Sequence, residues 1–140
     1  MKKIIFLWGV ILLIVSMALV GYAKMEKIAI SKDNLAELKG EWIGSRTIGP
    51  GTVKNTDLEI LNDTLPLQVK LTFYDVKKPG KAFTTEIRDF KGKINDQGNL
   101  FHKGPDNEVE LSLYNDDGKM KLEGTYYWFG SKGTMSFKKK

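Results

Sequence analysis

The chain has 140 residues, which include 22 Lys and Arg, 17 Asp and Glu, one His and no Cys, and its formal net charge is +5. The lack of cysteine excludes disulfides and a lipid-modified lipoprotein, so an exported domain must be held together by core burial and hydrogen bonds alone. A single histidine excludes a metal site built on a pair of histidines. Acidic and basic residues are interspersed, so we expect no nucleic-acid partner.

The first 23 residues have the pattern of an export signal. Two lysines precede an apolar run that continues to Val20, and Gly21 and Ala23 supply small residues at positions −3 and −1 of a cleavage site. The segment 4–23 is also long enough to remain in a bilayer as an uncleaved anchor. Both alternatives export the rest of the chain. We therefore predict a periplasmic or extracellular protein that meets a membrane only through residues 4–23.

Residues 24–37 are predicted to form a connector and a short helix. Ser31 to Asn34 offer N-cap side chains ahead of Leu35, and Gly40 ends the helical segment. Residues 38–140 contain no sustained 3.6-residue apolar period. They are therefore predicted to be strands that form one domain, since about 100 residues suffice for one hydrophobic core.

The strands are indicated by short blocks in which apolar and polar residues alternate. The cleanest block places Val69, Leu71 and Phe73 on one face, and separate strands are expected at 83–88 and 90–94. Turn sequences separate the blocks, and Asp117-Gly118 favours a type I′ hairpin. Alternation predicts interior positions for Trp42, Leu58, Val69, Leu71, Phe73, Phe83, Ile87, Leu111, Tyr126 and Trp128.

The count is eight or nine strands joined in sequence by tight turns, with no helix long enough for a parallel crossover. An open meander of this length leaves two unpaired edges, whereas closure removes them. We therefore predict an all-β fold, an antiparallel up-and-down barrel of about eight strands preceded by the short helix. A sandwich of two sheets is the alternative architecture.

The segment Leu38–Gly44, with its Gly-x-Trp sequence, resembles the opening of the lipocalin-like (calycin) barrels. Residues 117–126 and 133–137 are similar to the closing hairpins of exported bacterial lipocalin-like domains of unassigned function. The resemblance covers Leu35 to Lys140. It implies that Trp42 packs across the closed end of a barrel, under a basic side chain of the last strand, for which Lys132 and Lys138 are the candidates.

The resemblance also implies a barrel that holds a small, mostly apolar ligand, although the class includes peptidase inhibitors and domains with no known ligand. On this basis the leading hypothesis is a binding protein for a small apolar or amphipathic ligand. The ligand-binding residues are expected to be Trp42, Phe73, Phe83, Tyr126 and Trp128.

The alternative is a protein-interaction module, either an inhibitor of an exported hydrolase or an envelope assembly factor. Alternation directs Tyr127 and Phe129 outward, beside a Gly-Ser-Lys-Gly turn. Exposed aromatic side chains often mark binding surfaces. This hypothesis therefore assigns the contact with an envelope or exported protein to Tyr127, Phe129 and the neighbouring loops.

No catalytic site is predicted. The chain has no Gly-x-Ser-x-Gly sequence. His102 ends a short strand beside a Gly-Pro loop, where we expect an exposed side chain, and the sequence indicates no positioned partner that would make it a general base. Asp57 and Glu59 share one face of a strand, as residues of a solvated face often do. We expect a non-enzymatic protein with no cofactor and no bound metal.

Overall fold

A computed structural model describes residues 25–140, and the export or anchor segment predicted for residues 1–23 lies outside them. Within this range no helix is long and apolar enough to cross a bilayer. The described elements are β1 (Met25–Ile28), α1 (Leu35–Leu38), β2 (Gly40–Thr47), β3 (Val53–Ile60), β4 (Leu67–Val76), β5 (Thr84–Ile94), β6 (Leu100–Lys103), β7 (Glu108–Asp116), β8 (Lys119–Trp128) and β9 (Ser131–Lys139).

Strands β2 to β9 form a closed barrel. Each is antiparallel to its neighbour in the chain, and β2 pairs with β9 to complete the ring. The prediction of an all-β up-and-down barrel of eight strands is therefore confirmed, and the sandwich alternative is wrong. Closure leaves the long strands without the free edges that an open meander would have.

Strand β1 was not predicted, because its four residues show no alternation. It lies beside β7, where Ile28 is opposite Leu113 and Met25 is opposite Asp116. The other half of β7 pairs with the short strand β6. The segment that the sequence suggested as a connector thus continues the barrel wall beyond Leu100, the first residue of β6.

The two ends of the barrel differ. The loops 48–52, 77–83, 104–107 and 129–130 lie together at one end, which we call the mouth. At the other end, which we call the closed end, α1 lies across the barrel. Two of its own side chains, Leu35 and Leu38, are buried in the core. Met25 lies beside Asp116 at the closed end, so the described chain enters the barrel at the pole opposite the mouth.

Trp42 is part of the closed end, as the resemblance implied. Its side chain is fully buried, and its Nε1 donates a hydrogen bond to the carbonyl oxygen of Leu38 over 2.9 Å. The basic side chain above the indole is Lys139, whose Nζ lies 5.9 Å from the ring centre. The candidates Lys132 and Lys138 are wrong. Lys139 reaches the indole because it shares the inward face of β9 with Phe137.

The centre of the barrel is packed with apolar side chains. Leu58, Leu71, Leu111, Leu122 and Phe137 are at most 1% exposed. Burial of apolar surface on this scale is the main stabilising contribution to a small domain without disulfides. Side chains therefore fill the middle of the barrel, as expected for eight strands.

The predicted interior positions of Phe83 and Ile87 are wrong, since these side chains are 57% and 51% exposed. Residues 84–94 form one continuous strand, so a single alternation applies to all of it. Phe90 lies opposite the buried Val69, which directs the even-numbered residues, including Glu86, to the interior. The barrel therefore contains charged side chains near the mouth, where the sequence suggested apolar ones.

Candidate functional site at the barrel mouth

A cavity of about 300 Å³ opens at the mouth. It is lined by the inward faces of β2, β3, β4 and β8 and by the mouth loops. Its lining combines aromatic rings with cationic groups and one carboxylate. The aromatic residues are Phe73, Phe83, Tyr126, Trp128 and Phe129, and the charged residues are Arg46, Lys54, Lys77 and Asp75.

Three buried rings form the floor of this cavity. The ring centre of Phe73 lies 5.6 Å from that of Trp128 and 6.4 Å from that of Tyr126. The hydroxyl of Tyr126 donates a hydrogen bond to the carbonyl oxygen of Thr47 over 2.9 Å. Burial raises the pKa of Tyr126, so this phenol stays protonated and donating at neutral pH.

Phe129 belongs to the mouth and not to the outer surface, which corrects the prediction from alternation. Phe129 and Gly130 form a two-residue turn between the paired residues Trp128 and Ser131, and their φ angles are 52° and 75°. Two positive φ angles are the signature of a type I′ turn. The turn directs the Phe129 ring onto Phe73, edge to face, with ring centres 5.2 Å apart.

Phe83 stands at the rim of the cavity, at the end of the loop between β4 and β5. The Nζ of Lys54 lies 4.5 Å from its ring centre, and the Nζ of Lys77 lies 5.2 Å from it. The ring is more than half exposed and is held by these cations rather than by a hydrophobic core.

Arg46 is a buried cation beside the floor. Its guanidinium donates hydrogen bonds to the carbonyl oxygen of Asn55 and the hydroxyl of Thr56, each over 2.8 Å, and to the carbonyl oxygen of Tyr74 over 2.7 Å. It also lies 5.3 Å from the ring centre of Phe73. Burial lowers the pKa of Arg46, yet a guanidinium stays charged in proteins. Arg46 therefore ties β2, β3 and β4 together and places a fixed positive charge at the mouth.

Glu86 forms an ion-pair cluster on the inward side of β5. It contacts Lys78 and lies 3.1 Å from Nη1 of Arg88, and Thr84 donates to it over 3.3 Å. The hydrogen bond from Lys78 holds the pKa of Glu86 below its ordinary value. The Glu86 carboxylate is thus ion-paired with Lys78 and Arg88, and these two cations neutralise its charge.

His102 is half-buried in an aromatic stack, whereas the sequence suggested an exposed side chain. Its ring centre lies 4.9 Å from that of Phe90 and 6.3 Å from that of Trp128. Its Nε2 is 2.7 Å from Oδ1 of Asn107, so the partner is an amide and not a carboxylate. This arrangement packs the histidine but does not activate it as a general base.

Tyr127 lies on the outer face of β8, away from Phe129. It borders a separate, open cavity of about 460 Å³ together with Glu108, Thr125 and Thr134. The Nζ of Lys132 lies 5.9 Å from its ring centre. Tyr127 and Phe129 therefore do not form the joint surface that the interaction hypothesis assigned to them.

The carboxylates of β3 lie on the outer barrel wall. Asp57 and Glu59 border a cavity of about 200 Å³, and the hydroxyl of Tyr74 donates to Asp57 over 2.9 Å. Lys140 pairs with Glu41 beside them over 3.0 Å. These groups form the polar network of a strand face, as the alternation pattern indicated.

The structure brings four of the five predicted ligand-binding residues into one cavity. Trp42 is the exception and lies at the closed end. The sequence reasoning missed the three basic residues of the cavity, although alternation contained the signal for two of them. Arg46 shares a face with Trp42, and Lys54 shares a face with Leu58.

In the described part of the chain, no group of three or more His, Asp or Glu side chains is arranged to hold a metal ion. Comparisons of the chain with protein-family models, with curated proteins and with solved structures found no match.

Proposed function

We propose that this chain is an exported, non-enzymatic binding protein that holds a small apolar or amphipathic ligand in the mouth of a lipocalin-like barrel. The observation that supports this proposal is the aromatic cavity at the mouth, formed by Phe73, Phe83, Tyr126, Trp128 and Phe129. Its volume of about 300 Å³ lies at the lower limit of small-molecule sites. Mostly apolar walls with a few polar groups are typical of such sites.

The conformation of Phe129 also supports a binding role. A bulky side chain in the left-handed region is unfavourable by about 1–2 kcal/mol, and Asn or Gly would form the same turn without that cost. Because the Phe129 ring is 39% exposed, its partial burial offsets only part of this backbone cost. Backbone strain of this kind is concentrated at ligand-binding and catalytic sites. We infer that Phe129 is placed at the mouth to contact a ligand.

The size of the cavity limits the affinity. A ligand that loses about 300 Å² of apolar surface gains about 7 kcal/mol from burial alone. The loss of translational and rotational freedom on binding offsets a large part of that gain. Burial alone would give a dissociation constant of about 10 μM. After this offset we expect weaker binding than that, which suits a carrier or sensor that releases its ligand.

The non-enzymatic assignment rests on the surroundings of His102. Acid–base catalysis needs a positioned partner that sets the tautomer and a nearby place for a substrate. His102 is instead stacked between rings and bonded to the amide of Asn107. Its nitrogen atoms therefore serve packing and loop positioning.

The binding proposal is tested with the fluorescent apolar probe N-phenyl-1-naphthylamine. We expect the folded protein to bind the probe with a dissociation constant above about 10 μM. The variant Thr52→Trp fills the cavity from the loop between β2 and β3 and should abolish binding, because Thr52 lines the cavity. Its matched control is Val53→Trp, since Val53 is 63% exposed and is not part of the lining.

Failure of the folded protein to bind the probe, or equal loss in both tryptophan variants, contradicts the proposal. A mouth that excludes the probe favours the protein-interaction alternative. Export is tested separately by mass spectrometry of the natively exported protein. A mature chain beginning at Lys24 demonstrates cleavage after Ala23, an intact chain in the membrane fraction demonstrates anchoring, and retention in the cytoplasm contradicts export.

A further inference from the structure

We propose that the ligand is an anionic amphiphile, whose anionic group is bound by Lys54 and Lys77 at the rim while its apolar part enters the aromatic cavity. This inference rests on the proposed function, because it assigns the charge of the ligand for the same site. It is carried by the charges around the cavity and by the contacts that those charges make.

The lining of the cavity has an excess of positive charge. Arg46, Lys54 and Lys77 contribute three cations, and Asp75 contributes the one carboxylate of the lining. The nearby carboxylate of Glu86 is already paired with Lys78 and Arg88. An anion that enters the mouth therefore meets an uncompensated positive potential.

Lys54 and Lys77 are available for such an anion. Among the described residues neither has a carboxylate within ion-pair distance, in contrast to Lys78 and Lys121, which do. The contacts of Lys54 and Lys77 are the ring of Phe83 and, for Lys77, the carbonyl oxygen of Lys81 at 3.3 Å. Charge-assisted hydrogen bonds to an anion are stronger than these contacts, so the ammonium groups gain by exchanging partners.

Both ammonium groups lie against the same ring, 4.5 Å from its centre for Lys54 and 5.2 Å for Lys77. Two cations that contact one ring repel each other, and an anion bound at the rim offsets that repulsion. Lys54 lies near the start of β3 and Lys77 directly follows β4, so the antiparallel pairing of these two strands brings both to the mouth.

Arg46, beside the floor of the cavity, strengthens the preference for an anionic ligand. It is 3% exposed, and its hydrogen bonds go to Asn55, Thr56 and Tyr74 rather than to a carboxylate. Its guanidinium is therefore held in place and adds a fixed positive field to the cavity that it lines. Fields of buried charges are screened less than those of exposed charges.

The test compares two probes that share one ring skeleton. N-phenyl-1-naphthylamine is uncharged, and 8-anilinonaphthalene-1-sulfonate adds a sulfonate. We expect the protein to bind the sulfonate about tenfold more tightly, which corresponds to about 1.4 kcal/mol. The double variant K54Q/K77Q should remove this preference, so that its affinities for the two probes lie within about twofold of each other.

The matched control is K32Q/K119Q, which lowers the net charge equally at the closed end. Equal weakening of sulfonate binding in both double variants reveals an effect of net charge alone and overturns the inference. So does equal affinity of the unmodified protein for the two probes, although that outcome leaves the proposed function standing. If neither probe binds, the proposed function fails, and this inference fails with it.

A competition experiment distinguishes the source of the anion. Monomeric dodecyl phosphate represents a free anionic amphiphile, and vesicles of phosphatidylcholine with or without phosphatidylglycerol represent a lipid headgroup. Displacement of the sulfonate probe by dodecyl phosphate, or by the phosphatidylglycerol vesicles alone, supports the inference and identifies the source. If neither competitor displaces the probe, the inference is wrong.

Discussion

The ammonium nitrogen of Lys54 lies 4.5 Å from the centre of the Phe83 ring, at the rim of the mouth cavity. A cation–π contact at an exposed site contributes only about 0.5–1 kcal/mol. Phe83 thus adds little to the stability of the barrel, while its ring covers part of the cavity. Its effects on folding and on binding are therefore separable.

We expect Phe83→Ala to change the free energy of unfolding by less than about 1 kcal/mol, because the ring is more than half exposed. The same change should weaken binding of the uncharged probe about fivefold or more, since the ligand loses an apolar contact. Urea denaturation and fluorescence titration measure the two effects. Ile87→Ala is the control, because Ile87 is equally exposed but lies on the outer wall; equal binding losses in both variants would refute the role of Phe83.

Phe129→Asn should leave stability within about 1 kcal/mol of the unmodified protein, because relief of the left-handed strain offsets the lost ring contact. Probe binding should fall about tenfold, since the ring opposite Phe73 is removed. The two quantities are measured by urea denaturation and by titration. Unchanged binding in this variant contradicts the assignment of Phe129 to the site.

Arg46→Met should destabilise the barrel by about 2–4 kcal/mol, because Asn55, Thr56 and Tyr74 lose a buried charged donor. Arg88→Met, at a partly exposed position, should cost less than about 1 kcal/mol. Urea denaturation of both variants provides the comparison. Equal stabilities would show that Arg46 does not tie the three strands together.

Trp42→Phe should destabilise the protein by about 1–3 kcal/mol, since the indole is fully buried and donates to Leu38. Its probe affinity should remain within about twofold, because Trp42 lies at the opposite end of the barrel from the cavity. If the variant is stable but loses probe binding, Trp42 belongs to the ligand site after all.

The ion-pair cluster predicts a dependence of stability on pH. The pKa of Glu86 is lowered in the folded state, so its carboxylate stabilises the fold above the ordinary carboxyl pKa of 4.5. This contribution is lost as the pH falls from that value through the lowered pKa. The urea midpoint of the unmodified protein should therefore exceed that of Glu86→Gln at neutral pH and approach it in acid. A gap of constant size across this range contradicts the prediction.

The alternation of apolar and polar residues predicted the buried face correctly where a whole strand was recognised as a single strand. In β4, Val69, Leu71 and Phe73 are buried as expected, and Asp117 and Gly118 have the positive φ angles of a type I′ turn. These signals are local, since they depend only on a strand with one buried face or on residues that tolerate positive φ.

The prediction failed where the continuity and pairing of strands override local preference. Phe83 and Ile87 suggested one parity for β5, but continuity with Phe90 imposes the other. The Phe129-Gly130 turn was missed because phenylalanine does not favour the left-handed region, and the register of β8 with β9 dictates it. The register of β3 with β4 brings the two lysines of the rim to one place, and a single sequence does not reveal that register.

The position of Met25 determines how the barrel can be attached. The chain that precedes it joins the protein beside Asp116, at the pole farthest from Lys54, Phe83 and the cavity they border. Tethering through the amino terminus, to a bilayer or to a solid support, would consequently leave the entrance unobstructed. A sample immobilised through its amino terminus would thus present the mouth to molecules that diffuse past it.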